Sequence, residues 1–156
     1  VGSDQGRVGY RRELENKLKK LNLEGTVQLV DNCTEMEVAY MLTDIAISAS
    51  TDPEAFGRVV PEAQAMGRIV IGTNHGGATE TIQDGVTGFL VPPADPDALA
   101  KALDKALSMT PEERETMAKN SIERVRSEFS KALMCSKTLD VYAELLNAKE
   151  KDKAKL

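Results

Sequence analysis

The carboxylates of Glu54 and Glu62 are separated by seven residues, which include Phe56 and Gly57. They lie between an apolar run that predicts a strand and a segment from Arg58 onward that predicts a helix. The free N–H groups and partial positive charge of a helix N-terminus favour phosphate, and a glycine lets a ligand come close to the backbone. A carboxylate at Glu62, about one turn inside the helix, could accept hydrogen bonds from two vicinal ribose hydroxyls. These residues therefore predict a loop that binds a nucleoside diphosphate, with Glu54 close to an attached sugar.

Each of these side chains also has a simpler interpretation. Glu54 could be a solvated loop acid, and Glu62 a first-turn acid that stabilises the helix dipole. Arg58 could contact a phosphate or remain a surface arginine. His75, the only histidine, precedes Gly76 at the end of a predicted strand and either contacts the ligand or only fits the turn. For His75 we prefer the second interpretation.

The loop must be positioned by strands that alternate with helices along the first two thirds of the chain. The strands are predicted at 27–30, 45–49, 69–72 and 89–91. Helices are predicted at 7–21, 34–42, 59–66 and 79–83, and three more begin near 96, 111 and 130. Side-chain N-caps are predicted at Thr34, Asp95 and Thr110. This alternation predicts an α/β fold with a Rossmann-like parallel sheet and helices on both faces, whose ligands bind beyond the carboxyl ends of the strands.

The composition excludes several classes of function. A chain of 156 residues with 41% apolar and 29% charged residues is expected to form one globular domain, and its net charge of −5 argues against a nucleic-acid binder. Cys33 and Cys135 are expected to be buried free thiols in a reducing compartment, and two Cys and one His are too few for a structural zinc site. The sequence shows no signal peptide and no apolar run of about 20 residues, so we expect a cytoplasmic protein.

Four segments follow one another in the order of a known sequence pattern. They are 54–62 (E-x7-E), 62–70 (E-A-x-A-x-G-x-P-V), 76–80 (G-G-x-x-E) and 84–91 (D-G-x-x-G-x-L-V). Ile69 replaces the usual proline of the second segment, and Tyr40 and Asp44 match a Y-x-x-x-D that precedes the strand at 45–49. Together these segments resemble the family 4 (group 1) retaining glycosyltransferases of the GT-B fold, over about residues 1–107.

The resemblance implies an enzyme that transfers a hexose-type sugar from a nucleotide-sugar donor to an acceptor, with retention at the anomeric carbon and no divalent metal. In this family the C-terminal Rossmann-like domain binds the donor and the N-terminal domain binds the acceptor. Transferred to this chain, Glu54 is the catalytic carboxylate that contacts the donor sugar, and Glu62 contacts the ribose. The backbone N–H groups of Phe56, Gly57 and Arg58 contact the sugar and the diphosphate.

Other residues of the donor site follow from the same resemblance. Asp31 and Cys33, at the end of a predicted strand, would lie near the nucleotide base, and Gly76 and Gly77 would border the same cleft. The Arg and Lys with which this family binds the diphosphate would lie upstream of Val1. A saccharide or lipid-linked acceptor, in polysaccharide or lipopolysaccharide synthesis of the cell envelope, is expected from the family, as is peripheral attachment of the full-length enzyme to the inner membrane.

The resemblance also implies a division of the chain. Residues 1–128 would form the donor-binding domain, incomplete at its start, and 129–148 a C-terminal helix that crosses to an absent N-terminal domain, followed by a frayed tail at 149–156. The apolar residues of that helix either are exposed, which favours self-association, or pack on the domain's own core: Leu133, Met134, Val141, Tyr142 and Leu145. The isolated chain is expected to be inactive. The alternative function is a nucleotide-binding module without transferase activity, which would need neither glutamate.

Overall fold

The computed structural model describes residues 2, 6 and 8–153, with side chains described from residue 9 to residue 147. The chain divides into two compact units, Val1–Leu42 and Thr43–Leu156, which are described separately. The second unit contains a parallel sheet and the loop with Glu54 and Glu62.

The sheet of the second unit has three strands in the order β1-β2-β3. They are β1 (Ile45–Ser48), β2 (Ile69–Thr73) and β3 (Phe89–Val91). Both pairings are parallel, with Ile45 opposite Ile69 and Ile71 opposite Phe89. Consecutive parallel strands place all their carboxyl ends at one edge of the sheet, which is where ligands bind in open α/β folds.

Helices precede, connect and follow the strands. They are α1 (Val8–Lys20), α2 (Met36–Met41), α3 (Val59–Ala65), α4 (Ala78–Thr81), α5 (Pro96–Ser108), α6 (Pro111–Glu128) and α7 (Lys131–Lys153). The predicted caps of α5 and α6 are confirmed, because the Asp95 side chain accepts from the Ala98 N–H and Thr110 forms a capping box with Glu113. Local sequence signals thus define where these two helices begin.

The core forms on both faces of the sheet, because alternate side chains of a strand point in opposite directions. On one face, Ile69 and Ile71 belong to a buried cluster against which Leu99 and Leu103 of α5 pack. On the other face, Gly72 lies against the side chains of Ala78 and Ile82. The predicted Rossmann-like α/β fold with helices on both faces is confirmed.

The predicted strand at 27–30 and the predicted cap of α2 are both wrong. In the first unit, Val27 forms only an isolated bridge with Glu24, and the Val30 carbonyl accepts one backbone hydrogen bond from Gly2. A short apolar segment needs a hydrogen-bonded ladder with a neighbouring strand to become a strand, and no strand is paired with this segment in the described part of the unit. The residue before α2 is Glu35 rather than Thr34, and no side chain caps that helix.

The last helix is longer than predicted, and of the two alternatives for its apolar side chains the structure shows exposure. It continues to Lys153, beyond the predicted end at 148, so residues 149–153 of the predicted frayed tail are helical and 154–156 lie outside the described residues. As far as residue 147, its large apolar side chains do not pack on the core of the unit, apart from the half-buried Leu133. The exposed ones are Met134, Leu139, Val141, Tyr142, Leu145 and Leu146. None of the described helices combines the length and apolar character that crossing a bilayer requires.

Both cysteines are free, as expected. Cys33 is half-buried, but Cys135 is exposed on α7, so the expectation that both thiols are buried is wrong. Cys135 follows Met134 on the helix whose apolar side chains remain exposed, which is why its thiol is not covered.

A buried amide joins α3 to the segment before β3. Gln64 is fully buried, and its Nε2 donates to the Thr87 carbonyl at 3.0 Å, to the Thr87 Oγ1 at 3.3 Å and to the Thr81 carbonyl at 3.3 Å.

We expect Gln64→Leu to lower the free energy of unfolding by about 1–3 kcal/mol, because buried acceptors lose their donor. Urea unfolding followed by circular dichroism measures this change. The exposed Gln83→Leu is the control, expected to change it by less than about 0.5 kcal/mol, and equal midpoints for the two variants would contradict the assigned network.

Candidate functional site

The loop between β1 and α3 carries the candidate site. Residue Arg58 precedes the first helical residue of α3, and Gly57 has a positive φ of 72°. A Cβ atom at Gly57 would also lie 2.9 Å from Oε2 of Glu54. Glycine at this position therefore serves two requirements, the left-handed backbone and the close approach of the Glu54 carboxylate.

Glu54 is exposed but held at both its side chain and its backbone. Its Oε1 accepts a hydrogen bond from Ser50 Oγ at 2.5 Å, and its carbonyl oxygen accepts one from the Gly77 N–H at 2.8 Å. A carboxylate that is anchored and still open to solvent can accept hydrogen bonds from the hydroxyls of a ligand without a large loss of rotamer freedom.

Glu62 lies in the first turn of α3 beside Arg58. The Nη2 atom of Arg58 is 2.7 Å from Oε1 of Glu62, and the two side chains are 84% and 34% exposed. An ion pair this exposed contributes at most about 1 kcal/mol, so a ligand can compete with it. The structure thus brings Glu54, Glu62 and a cationic group together around the start of α3.

Gly76 and Gly77 pack directly on the loop that carries Glu54. Gly76 has a φ of +55°, and a Cβ there would lie 2.5 Å from the Glu54 carbonyl oxygen. A Cβ at the buried Gly77 would lie 2.5 Å from both the Cα and the carbonyl oxygen of Phe56. The contact that the structure gives these two glycines is with the loop, and donor contact by Gly76 and Gly77 stays a prediction.

Two residues at and beyond the end of β2 contact the loop after β1. The sequence did not indicate Thr73, and for His75 it favoured a role in the turn over contact with a ligand. Thr73 Oγ1 donates to the Ser50 carbonyl oxygen at 2.9 Å, and His75 Nε2 contacts the same oxygen at 3.0 Å. His75 Nδ1 is buried and has no hydrogen-bond partner among the described residues. The sequence places both residues at the carboxyl end of a predicted strand, where ligands bind in such sheets. It does not indicate which side chains of neighbouring loops meet.

Asp31 and Cys33 belong to the first unit. Asp31 is exposed and forms a hydrogen-bonded ion pair with Arg11. The hydrogen bond of this pair is the main cause that raises the pKa of the Arg11 guanidinium above its ordinary value. Cys33 is half-buried. Since Glu54 and Glu62 lie in the second unit, the assignment of Asp31 and Cys33 to a nucleotide base stays a prediction.

A groove of about 820 Å³ borders Glu62 on the side of α6 and α7. Its apolar lining includes Phe56, Phe129 and Met134, and the two phenylalanine rings are 5.8 Å apart. Lys137 lies among the cationic residues that line the same groove. In the part of the chain that the structure describes, no three His, Cys, Asp or Glu side chains come together as a metal site would require.

The sequence of this chain matches a known family over most of its length. Residues 5–124 match the family described as glycosyl transferases group 1. The chain belongs to this glycosyltransferase family. The match includes the loop with Glu54 and Glu62 and the segment with Gly76 and Gly77.

Similar glycosyltransferases are longer than this chain. The α-1,3/1,6-mannosyltransferase alg-2 of Neurospora crassa is 39% identical over 89 residues, which are 56% of this chain and 19% of that protein. A solved glycosyltransferase from Rickettsia africae is 36% identical with a TM-score of 0.89, over 93% of this chain and 39% of that one. HepE from Anabaena, solved in complex with UDP-glucose, is 27% identical with a TM-score of 0.84, over 89% of this chain and 38% of that one. The chain has the fold of a GT-B glycosyltransferase domain and spans about two fifths or less of these proteins.

Proposed function

We propose that this chain is the donor-binding part of a retaining glycosyltransferase that uses a nucleotide sugar such as a UDP-hexose. The observation that carries the proposal is the placement of Glu54 and Glu62 around the start of α3, in a fold shared with HepE, which was solved with UDP-glucose. Glu62 would accept from the ribose hydroxyls and Glu54 from the sugar hydroxyls. The backbone N–H groups of Phe56, Gly57 and Arg58 would face the diphosphate.

The demanding step of the proposed reaction is the departure of the nucleoside diphosphate. Negative charge then develops on the phosphate oxygens, and donors already aimed at them lower the barrier. In this chain the N–H groups at the start of α3 and the exposed guanidinium of Arg58 can provide part of that stabilisation. The proposal assigns the remainder to an Arg and a Lys in a preceding segment of a longer enzyme, and it involves no metal ion.

In the proposed enzyme the acceptor binds outside this chain. We assign a saccharide or lipid-linked acceptor to a separate domain, in the synthesis of a cell-envelope polysaccharide or lipopolysaccharide on the cytoplasmic side of the membrane. A nucleotide-binding module without transfer remains the second candidate, which would bind UDP but release no sugar to any acceptor. The presence of Glu54, held by Ser50, favours the transferase, since binding of a nucleoside diphosphate alone needs no carboxylate beside the sugar.

The exposed apolar side chains of α7 fit a helix that is covered in a longer enzyme. On its own, the chain is expected to self-associate at tens of micromolar, because several large apolar residues face water. Size-exclusion chromatography with light scattering measures the mass. Replacing Tyr142 and Leu146 together by glutamate should yield the monomer mass, whereas Asn147→Glu on the same helix should not. A monomeric wild-type chain at those concentrations would contradict this expectation.

Glu62→Ala tests the ribose contact. We expect the affinity for UDP to fall about 10- to 100-fold, because hydrogen bonds to a charged group contribute about 1.5–3 kcal/mol. Isothermal titration calorimetry with UDP on the enzyme that carries this chain measures the change. Glu115→Ala removes an exposed glutamate of α6 that pairs with Lys119 and should leave the affinity unchanged. Equal UDP affinities for the Glu62→Ala variant and the wild type would refute the site.

A further inference from the structure

Two side chains, from the end of β2 and the segment after it, meet at the carbonyl oxygen of Ser50, close to Glu54. The Ser50 carbonyl oxygen accepts hydrogen bonds from Thr73 Oγ1 at 2.9 Å and from the His75 ring at 3.0 Å. The hydroxyl of the same serine donates to the Glu54 carboxylate at 2.5 Å. Ser50 therefore links the end of β2 to the carboxylate, because its carbonyl oxygen accepts from one side and its hydroxyl donates to the other.

The backbone of Glu54 is held by the segment that follows β2. The Gly77 N–H donates to the Glu54 carbonyl oxygen at 2.8 Å, so the backbone of Glu54 is fixed to the segment between β2 and α4 while its side chain is fixed to Ser50. An exposed glutamate on a free loop would sample many rotamers and would lose that freedom when it binds a ligand. Holding the carboxylate in advance reduces this entropic cost.

The His75 contact also specifies a tautomer. A carbonyl oxygen only accepts hydrogen bonds, so the ring nitrogen that faces Ser50 must carry the proton. That nitrogen is Nε2, which in a neutral ring leaves Nδ1 without a hydrogen. The buried Nδ1 has no hydrogen-bond partner in the described part of the chain. The hydrogen bond from Nε2 is therefore the one by which the His75 ring contacts the loop that carries Glu54.

We propose that Thr73 and His75 are positioning residues, which act through Ser50 to hold the Glu54 carboxylate where the sugar of the donor binds. The inference rests on the proposed function and adds two residues whose side chains form hydrogen bonds with the loop that carries Glu54. Thr73 is 5% exposed, which fits a residue whose hydroxyl serves the neighbouring loop rather than a ligand. The contacts of Thr73 and His75 with Ser50 should therefore affect the binding of a nucleotide sugar and not the binding of the nucleotide alone.

The first test reads the hydrogen bond directly. The chain has one histidine, so a long-range ¹H–¹⁵N spectrum of the labelled protein contains a single set of ring signals. We expect the Nε2-protonated tautomer in the wild type and also in Ser50→Ala, which keeps the backbone carbonyl. A ring protonated on Nδ1 alone would overturn the inference whether or not a nucleotide binds.

The second test compares two probes on the enzyme that carries this chain. Ser50→Ala, Thr73→Val and His75→Leu should each weaken UDP-glucose binding about 3- to 10-fold and change UDP binding by less than about 2-fold. Thr73→Ser and His75→Gln keep a donor and should restore UDP-glucose binding. In a Glu54→Ala background the three changes should have no further effect, because the group that they position is gone.

The outcomes separate the inference from the proposed function. Equal losses of UDP and UDP-glucose binding, or effects that multiply with Glu54→Ala, would show a merely structural role and overturn the inference. A wild-type enzyme that binds neither UDP nor UDP-glucose would overturn the proposed use of a UDP-hexose, and the role in sugar positioning with it. If Thr73→Val does not fold, Ser50→Ala and His75→Leu decide the result, with His75→Gln as the variant that keeps a donor.

Discussion

Replacing Glu54 with glutamine should lower kcat for sugar transfer about 10²- to 10³-fold, while the affinity for UDP changes less than about 2-fold. Glutamine has the same size, and its side-chain oxygen can still accept from Ser50 Oγ, so the loop should keep its conformation. The negative charge beside the sugar is lost, and positive charge on the anomeric carbon is then less stabilised as the leaving group departs. An assay of released UDP with a nucleotide sugar measures kcat and KM.

Asp52→Asn provides the matched control for this charge change. Asp52 is another exposed acid of the same loop, two residues before Glu54, and its neutralisation should leave kcat within about 2-fold of the wild type. A Glu54→Gln enzyme as fast as the Asp52→Asn enzyme would exclude Glu54 from the chemical step. If the wild type binds UDP but transfers no sugar to any acceptor, the nucleotide-binding module becomes the better interpretation.

Replacing Gly77 with alanine should both destabilise the second unit and displace the loop that carries Glu54. The φ of Gly77 is −60°, which any residue adopts, so the effect comes from contact: the new Cβ would lie 2.5 Å from the backbone of Phe56. The loop has to move away, which stretches the hydrogen bond from the Gly77 N–H to the Glu54 carbonyl. Overpacking of this kind costs about 1–3 kcal/mol, or roughly 3–10 °C in Tm.

Gly85→Ala separates this clash from the general cost of replacing a glycine. Gly85 has a positive φ of 73°, but no atom outside residues 84–86 lies within 4 Å of the position that an alanine methyl would take. Alanine there should therefore cost only about 1 kcal/mol of backbone strain. Calorimetric unfolding and UDP-glucose titration of both variants measure the difference. Only Gly77→Ala should weaken UDP-glucose binding, and equal behaviour of the two variants would contradict the packing argument.

Features of the fold with local causes were predictable from the sequence. The three parallel strands, the caps at Asp95 and Thr110 and the glutamates around the start of α3 follow from β-branched runs, capping residues and short motifs. The same local rules were wrong at residues 27–30, where an apolar segment has no strand to pair with in the described part of its unit, and at Thr34, where the cap position falls on Glu35. A strand is stabilised by its neighbours, so its residues alone do not determine it.

The sequence by itself determined the family, the α/β architecture and the positions of the two carboxylates along the chain. Only the tertiary structure decided how those carboxylates are held. Thr73 and His75 are 23 and 25 residues from Ser50, and spacing in the sequence does not indicate that they share its carbonyl oxygen. They meet there because β1 and β2 are parallel neighbours, which brings the segments after both strands to one edge of the sheet. Close packing at that edge then requires glycine at position 77, where any side chain would collide with Phe56.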